Sequence, residues 1–524
     1  MTIAADSALG SRTGRAGRRP NLVPASPVRE TVPDRQEGPA APQGKAVRGL
    51  GACRFAARAA LLLALAAIAA HEALLVFDLD NKDYGEGPIL AFMERMQAEP
   101  ISAAWASGPP YGLSCYGPAY YYLAGAAARL SGLPHSVVPG RAVALAAGWL
   151  SAVIVAVIAG RRTRNFEIGL LAALMFLASL PVAEWVPYAR VDTLALVFSA
   201  AAFLAVGPGA RGAMLPAVLI AAGSLAKPTA ALSAAPIFLH LLANGRSRDA
   251  ARFAALAAVL GAAVWGVAEW ASDGFFLTSV LKGNRNPMIL WRGYSHAYAF
   301  LASPLGAAAL SVTVVLLVAS PQRFVRSLYS LGFATSLAIS AAIACKKGSE
   351  LNYFLEPALL GSLAIAVDAL PQVRAFDARR AAFAMAFLAA IVALPYLREL
   401  KVRCRTPLKT PETFEVVRRC LADEPAETEV LADGKTIPMV LAAGRRPWLN
   451  DPYLYTLRVA NGTLDPTPLV ERLEDGRIKW LIFRRSVEFH REYEGSWPPE
   501  ALEIIPRHYQ LASREAGLFI YRHR

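Results

Sequence analysis

Long apolar runs alternate with short basic segments and with two long segments rich in aromatic and acidic residues. A bilayer core needs roughly 20 mostly apolar residues per helix. Such runs recur at Phe55–Phe77, Arg141–Gly160, Glu167–Ala183, Val191–Val206, Ala213–Ala226, Thr229–Ala243, Phe253–Trp270, Ala297–Ser320, Val325–Ala344, Tyr353–Ala369 and Ala381–Leu397. They predict about eleven membrane spans. Several are rich in alanine, and small residues let helices approach closely in lipid, so a compact bundle is expected. Beyond Leu397 the hydropathy drops. Glu429–Asp433, Lys479–Phe483 and Leu518–Tyr521 read as short buried strands, and Phe414–Leu421, Ile437–Ala443 and Pro468–Leu473 as helices. The expected fold class is mainly α, a polytopic membrane helix bundle over residues 51–397 with a small soluble α/β domain over 398–524. Residues 1–50 hold Pro, Gly, Arg and Ser without periodicity and read as a disordered basic tail. They do not read as a signal peptide, because the first apolar run starts far from Met1 and is long enough to span.

Composition agrees with a membrane protein. Of 524 residues, 55% are hydrophobic and only 18% charged, which is too apolar for an ordinary soluble chain. The formal net charge of +14 would suggest nucleic acid in a soluble protein, but here the cations sort by loop. Arg161, Arg162 and Arg164, then Arg211, then Arg246, Arg248 and Arg252, then Arg323 and Arg326, then Arg374, Arg379 and Arg380 all fall on one predicted side, with the N-terminal tail. The positive-inside rule makes that side the cytoplasm. The C-terminal domain is then expected outside, on the periplasmic or extracellular face of a bacterial inner membrane. No nucleic-acid motif supports the other reading. The five cysteines show no zinc spacing. Cys404 and Cys420 lie in the exported domain, where a disulfide and two free thiols are both open.

The segments expected outside are long, Asp78–Pro139 and Ser272–His296, and loops of such length are usually functional or disordered. The first carries Tyr84, Phe92, Trp105, Tyr111, Tyr116 and Tyr120–Tyr122. Helical spacing at Pro88–Ala98 and Ala119–Leu130 predicts juxtamembrane helices roofing a cavity at the outer surface. Four carboxylates, Asp78, Asp80, Asp83 and Glu86, follow the first span around Gly85 and Gly87. Pro88 suits a first helical turn, so Asp83 and Glu86 fall at or before a helix N-terminus, where the dipole favours acids. Helix capping explains them; so does a general base, with Asp83 and Glu86 also able to hold a divalent ion such as Mg or Mn.

Other ionisable groups map to the same ends of the spans, where burial near lipid is costly and function is the default hypothesis. They are Arg190 and Asp192, Lys227, Arg285 and Arg292, His296, Lys346 and Lys347, and Glu356 with Asn352 one turn before it. Each has a plain alternative. Arg190 and Asp192 can pair, Lys227 can snorkel, the lysines can be loop charges, and Asn352 with Glu356 can serve packing. Together they suggest a site with carboxylates on one wall and cations for a phosphate on the others. Aromatic residues there suit sugar rings and an isoprenoid tail.

At these residues the sequence resembles the GT-C glycosyltransferases that use polyprenyl-phosphate sugars, the group of protein mannosyltransferases, aminoarabinose transferases and their relatives acting on lipopolysaccharide core. The resemblance is carried by Asp83-Tyr84-Gly85-Glu86-Gly87, Tyr116-Gly117-Pro118, Arg141, Ala189-Arg190-Val191-Asp192, Leu225-Ala226-Lys227-Pro228-Thr229 and Lys347-Gly348-Ser349 leading to Asn352-Tyr353-Phe354-Leu355-Glu356-Pro357. It covers roughly residues 51–397. It implies an inverting transfer of sugar from a polyprenyl-phosphate donor to a glycan, lipid or protein acceptor, with membrane lipids around it and no nucleic acid. It further implies Asp83 or Glu86 as base, Lys227, Arg190, Lys347, Arg292 and His296 toward the donor phosphate, and Tyr84, Asp192, Tyr116, Asn352, Tyr353 and Glu356 toward substrate. Many members have adjacent Asp and Glu in the first loop. Here Tyr84-Gly85 separates them, so the identity of the base stays open. Two other classes compete. A transporter or flippase should place its polar groups near mid-membrane, often in broken helices. A non-catalytic scaffold would not need the carboxylate and cation walls.

Overall fold

The computed structural model describes residues 43–79, 83–105, 108–109, 111–372, 378–404, 411–491 and 497–524. The basic tail up to residue 42, and Asp80, Asn81 and Lys82 of the acidic loop, lie outside them. The chain divides into two compact units, Met1–Gly49 and Leu50–Arg524. The first is helical over its described residues; all that follows concerns the second.

Every apolar run becomes helical, but not every run forms a single helix of membrane-crossing length. Five helices are long and apolar enough to cross a membrane, Gly51–Val76, Val138–Thr163, Ser247–Ala271, Leu351–Gln372 and Arg379–Arg403. The run expected as one span at Ala297–Ser320 is instead two helices, Leu290–Ala302 and Pro304–Ala319, meeting at 88°. The break has a local cause. Ser303 caps the second helix by accepting from Gly306 N, and Pro304 occupies its first turn. The remaining runs form shorter apolar helices at Phe166–Leu177, Asp192–Ala205, Arg211–Ser224, Pro228–Ala243 and Leu328–Ile343. At 1.5 Å per residue these fall short of the roughly 30 Å hydrocarbon core. The last long helix continues to Arg403, past the boundary expected at Leu397.

Two aspects of the packing position the site. One core, including Leu61, Phe176, Phe203, Phe253, Phe333 and Leu359, joins the apolar helices. A second joins the first long loop to the C-terminal region. In it, Ile89, Phe92, Trp105 and Tyr121 pack with Val417, Ile437, Val440 and Ile482. The loop helices anticipated from spacing are present at Glu86–Ala98 and Ala119–Ser131.

The C-terminal region forms a four-stranded sheet in the order β1-β2-β4-β3, with β1 Glu429–Ala432, β2 Ile478–Phe483, β3 Tyr509–Glu515 and β4 Leu518–His523. β1 and β2 are parallel, and the other pairs antiparallel. The β3–β4 turn places Ala516 and Gly517 at φ 52° and 75°, the geometry of a tight hairpin. The three expected strands and three expected helices are present. Helices Pro452–Ala460 and Pro499–His508 and strand β3 are additional.

Candidate active site

The acidic loop runs straight into the helix Glu86–Ala98. Glu86 is fully buried and grips Arg141, with Arg141 Nε donating to Oε1 at 2.7 Å and Nη2 to Oε2 at 2.6 Å. Ala189 N donates to the same carboxylate at 2.8 Å. Arg141 also donates to the carbonyls of Leu75 and Asp78, which close the end of the first long helix. Glu86 therefore ties three chain segments together and lines neither cavity described below. Its expected place facing a substrate is not what this geometry gives it.

Asp83 faces Arg190. Nε lies 2.7 Å from Oδ2, and Nη2 donates to Oδ1 at 2.9 Å. The guanidinium also stacks 5.0 Å from the centroid of Trp185 and presses on the backbone at Gly85. A Cβ at Gly85 would stand 2.1 Å from Arg190 Nη1, so glycine there is what lets the arginine approach. Asp83 and Glu86 do not fit a metal centre, since each is committed to a guanidinium. Among the described residues, no group of three or more His, Cys, Asp or Glu side chains gathers to hold an ion.

Arg190 opens onto a rim cavity of about 850 Å³. Tyr84, Tyr116 and Tyr121 of the first loop, Asn284 and Asn286, and Lys346 and Lys347 line it. Of the residues expected from sequence, the cavity thus collects Tyr84, Tyr116, Arg190, Lys347 and Tyr353. A second cavity of about 560 Å³ lies between the short apolar helices. It collects Asp192, Lys227, Asn352, Tyr353 and Glu356, with Ser199, Ser336 and Ser340. Tyr353 is on both walls. Here Lys227 Nζ lies 2.5 Å from Asp192 Oδ1 and 4.5 Å from the centroid of Tyr353, and Asn352 Nδ2 donates to the same Asp192 oxygen at 2.8 Å. Ser233 donates to Glu356 and contacts Ser199 at 2.8 Å. Arg292 and His296 line neither cavity, and His296 Nε2 is spent on the Ser349 carbonyl at 3.1 Å.

The C-terminal region contributes residues that the sequence reading missed. Asp451, Tyr453 and Leu454 line the rim cavity. Asp451 caps the helix Pro452–Ala460 by accepting from Leu454 N at 3.0 Å. Tyr453 N donates to Tyr84 Oη at 2.9 Å, and Tyr453 Oη donates to Asn286 Oδ1 at 2.6 Å. The one available signal was Asp451-Pro452, a cap followed by a helix-opening proline. Burial pushes the Asp451 carboxyl up to about 6, the Cys115 thiol up to about 11 and the Tyr453 phenol up to about 12. Cys404 and Cys420 are both free thiols.

No known family model matches the chain, and no curated protein matches its sequence. Solved structures do. ArnT from Cupriavidus metallidurans, crystallised bound to undecaprenyl phosphate, superposes with a TM-score of 0.57 at 11% identity, covering 92% of this chain and 98% of that one. The apo oligosaccharyltransferase of Archaeoglobus fulgidus gives a TM-score of 0.50 at 13% identity, covering 86% of this chain and 72% of its own. At such identities the likeness is one of fold: the chain shares the helical architecture of these two structures.

Proposed function

We propose that this protein is a membrane glycosyltransferase that moves a sugar from a polyprenyl-phosphate donor to a glycan, lipid or protein acceptor at the outer face of a bacterial inner membrane, with inversion at the anomeric carbon. The observation that carries this reading is the pair of adjoining cavities that share Tyr353, one cation- and aromatic-rich and one descending among apolar helices. Cations and aromatic faces at the rim, and a mixed wall of Lys227, serines and aliphatic residues between the helices, suit the phosphate and first isoprene units of a lipid-borne sugar. The likeness to ArnT, whose structure holds undecaprenyl phosphate, supports it.

In this reading Arg190, Lys346 and Lys347 face the phosphate from the rim, and Lys227 approaches it from the second cavity. Fixed positive groups stabilise the charge that grows on a leaving phosphate without reorganising during the step. Asp83 would hold Arg190 in place. Both its oxygens turn to that arginine, and Asp83 is not on the cavity wall. Tyr84, Tyr116 and Tyr353 offer faces and hydroxyls to the sugar and to the first isoprene units. Asp192 and Asn352 keep Lys227 oriented.

The test is direct. Purified protein in lipid nanodiscs is incubated with a panel of synthetic polyprenyl-phosphate sugars and membrane glycolipid acceptors, and products are read by mass spectrometry. Transfer from at least one donor, with inverted configuration, is expected. Binding of no polyprenyl phosphate and transfer from no donor would remove this function.

A further inference from the structure

Among the described residues on the rim-cavity wall, one carboxylate is present, Asp451 of the C-terminal region. Asp451 sits in a strap, Trp448–Leu454, that is pinned onto the first loop. Tyr111 and Leu449 form a parallel β-bridge. Asn450 and Leu113 exchange two hydrogen bonds, Leu113 N to Oδ1 and Nδ2 to Leu113 O, both at 2.8 Å. Nearby, a Cβ at Gly87 would stand 1.9 Å from Gly434 O, so the two backbones touch. The strap thus delivers Asp451 and Tyr453 to the cavity that Arg190, Lys346 and Lys347 also line.

Resting on the glycosyl-transfer reading above, we propose that Asp451 is the group that takes the acceptor's proton. The acceptor oxygen forms its bond to the anomeric carbon as the bond from that carbon to the donor phosphate oxygen breaks. The electron pair leaves with the polyprenyl phosphate. The acceptor's proton passes to the carboxylate of Asp451 and from there to water. Asp83 and Glu86 are less suited, because each has both oxygens on an arginine and neither is on the wall.

The surroundings of Asp451 suit the task. A base works best when its pKa lies near the operating pH. Burial raises this carboxyl to about 6, against the opposing pull of the Leu454 and Tyr453 amides, Arg190 and the Tyr84 hydroxyl. The other titratable groups on the wall are Lys346 and Lys347, and Cys115, Tyr116, Tyr121, Tyr353 and Tyr453. Burial raises the thiol and the phenols of Tyr116, Tyr121 and Tyr453, so these stay neutral around pH 6, and no histidine is among the described residues on the wall. An acid limb near pH 6 in the transfer rate would therefore report Asp451, with activity falling as pH drops below that value.

Asp451→Asn separates this role from helix capping, because asparagine caps a helix as well as aspartate does. The experiment uses the full chain in nanodiscs, with a polyprenyl-phosphate sugar that the wild type transfers and undecaprenyl phosphate as the binding probe. The expected result is a kcat lower by about 10²–10⁴-fold, loss of the acid limb, unchanged affinity for undecaprenyl phosphate, and partial recovery in Asp451→Glu. Wild-type kcat with the limb intact in Asp451→Asn would overturn the assignment while leaving glycosyl transfer standing. A wild type that neither binds the probe nor transfers sugar would overturn both.

Discussion

At the scale of single residues, the carboxylates divide by what a substitution should break. Glu86 compensates a buried guanidinium. Removing one member of a buried ion pair costs about 3–5 kcal/mol because the other charge is left unpaired. Glu86→Gln is therefore expected to lower the unfolding temperature in detergent sharply, and any loss of activity should track the loss of folded protein. Asp83→Asn should behave differently. Its pair with Arg190 is at the cavity edge, so the protein should stay folded while affinity for undecaprenyl phosphate falls several-fold. Equal affinity in the two proteins would refute the role of Asp83 as the support of Arg190. Gly85→Ala tests the same arginine from the backbone side. With 2.1 Å between its Cβ and Nη1, the guanidinium must move, and a weaker phosphate site is expected without any change of charge.

At the scale of elements, the strap Trp448–Leu454 decides whether the site is complete. Asn450→Ala strands the amide and carbonyl of Leu113, and an unmet buried polar group costs about 1–3 kcal/mol. Hydrogen exchange should then quicken at residues 111–113 and 449–454, with little change in the core of the apolar helices. Unaltered exchange there would show that the strap is held by something else. This element also marks where sequence reading stops. The apolar runs, the two loop helices and strands β1, β2 and β4 were legible because burial imposes a period of 3.6 or 2 on nearby residues. Strand β3 was not, since it lies at the sheet edge and most of Tyr509–Glu515 faces solvent, leaving no alternation to read. The bend at Ser303–Pro304 was hidden because apolar residues continue on both sides of it. Arg190 and Lys347 could be named as candidates from type and position alone. Asp451 could not, because its place depends on residues 113 and 450 meeting across 337 positions of chain.

At the scale of the whole molecule, the ends of the long helices connect the site to one face of the membrane. Arg403 Nη1, at the end of the last long helix, lies 3.0 Å from Asp78 Oδ2, just past the end of the first. Asp78 is in turn tied through its carbonyl to Arg141 and so to Glu86. The exposed Cys404 therefore stands on the same side as the rim cavity. On the reading proposed above, that side is the exterior. A variant keeping Cys404 alone, with Cys53, Cys115, Cys345 and Cys420 changed to alanine, turns this into a measurement. A membrane-impermeant maleimide should label it in spheroplasts and fail to label it in sealed inside-out vesicles until detergent is added. The reverse pattern would place Arg190, Lys347 and Asp451 in the cytoplasm, where a donor already carried to the outer leaflet could not reach them.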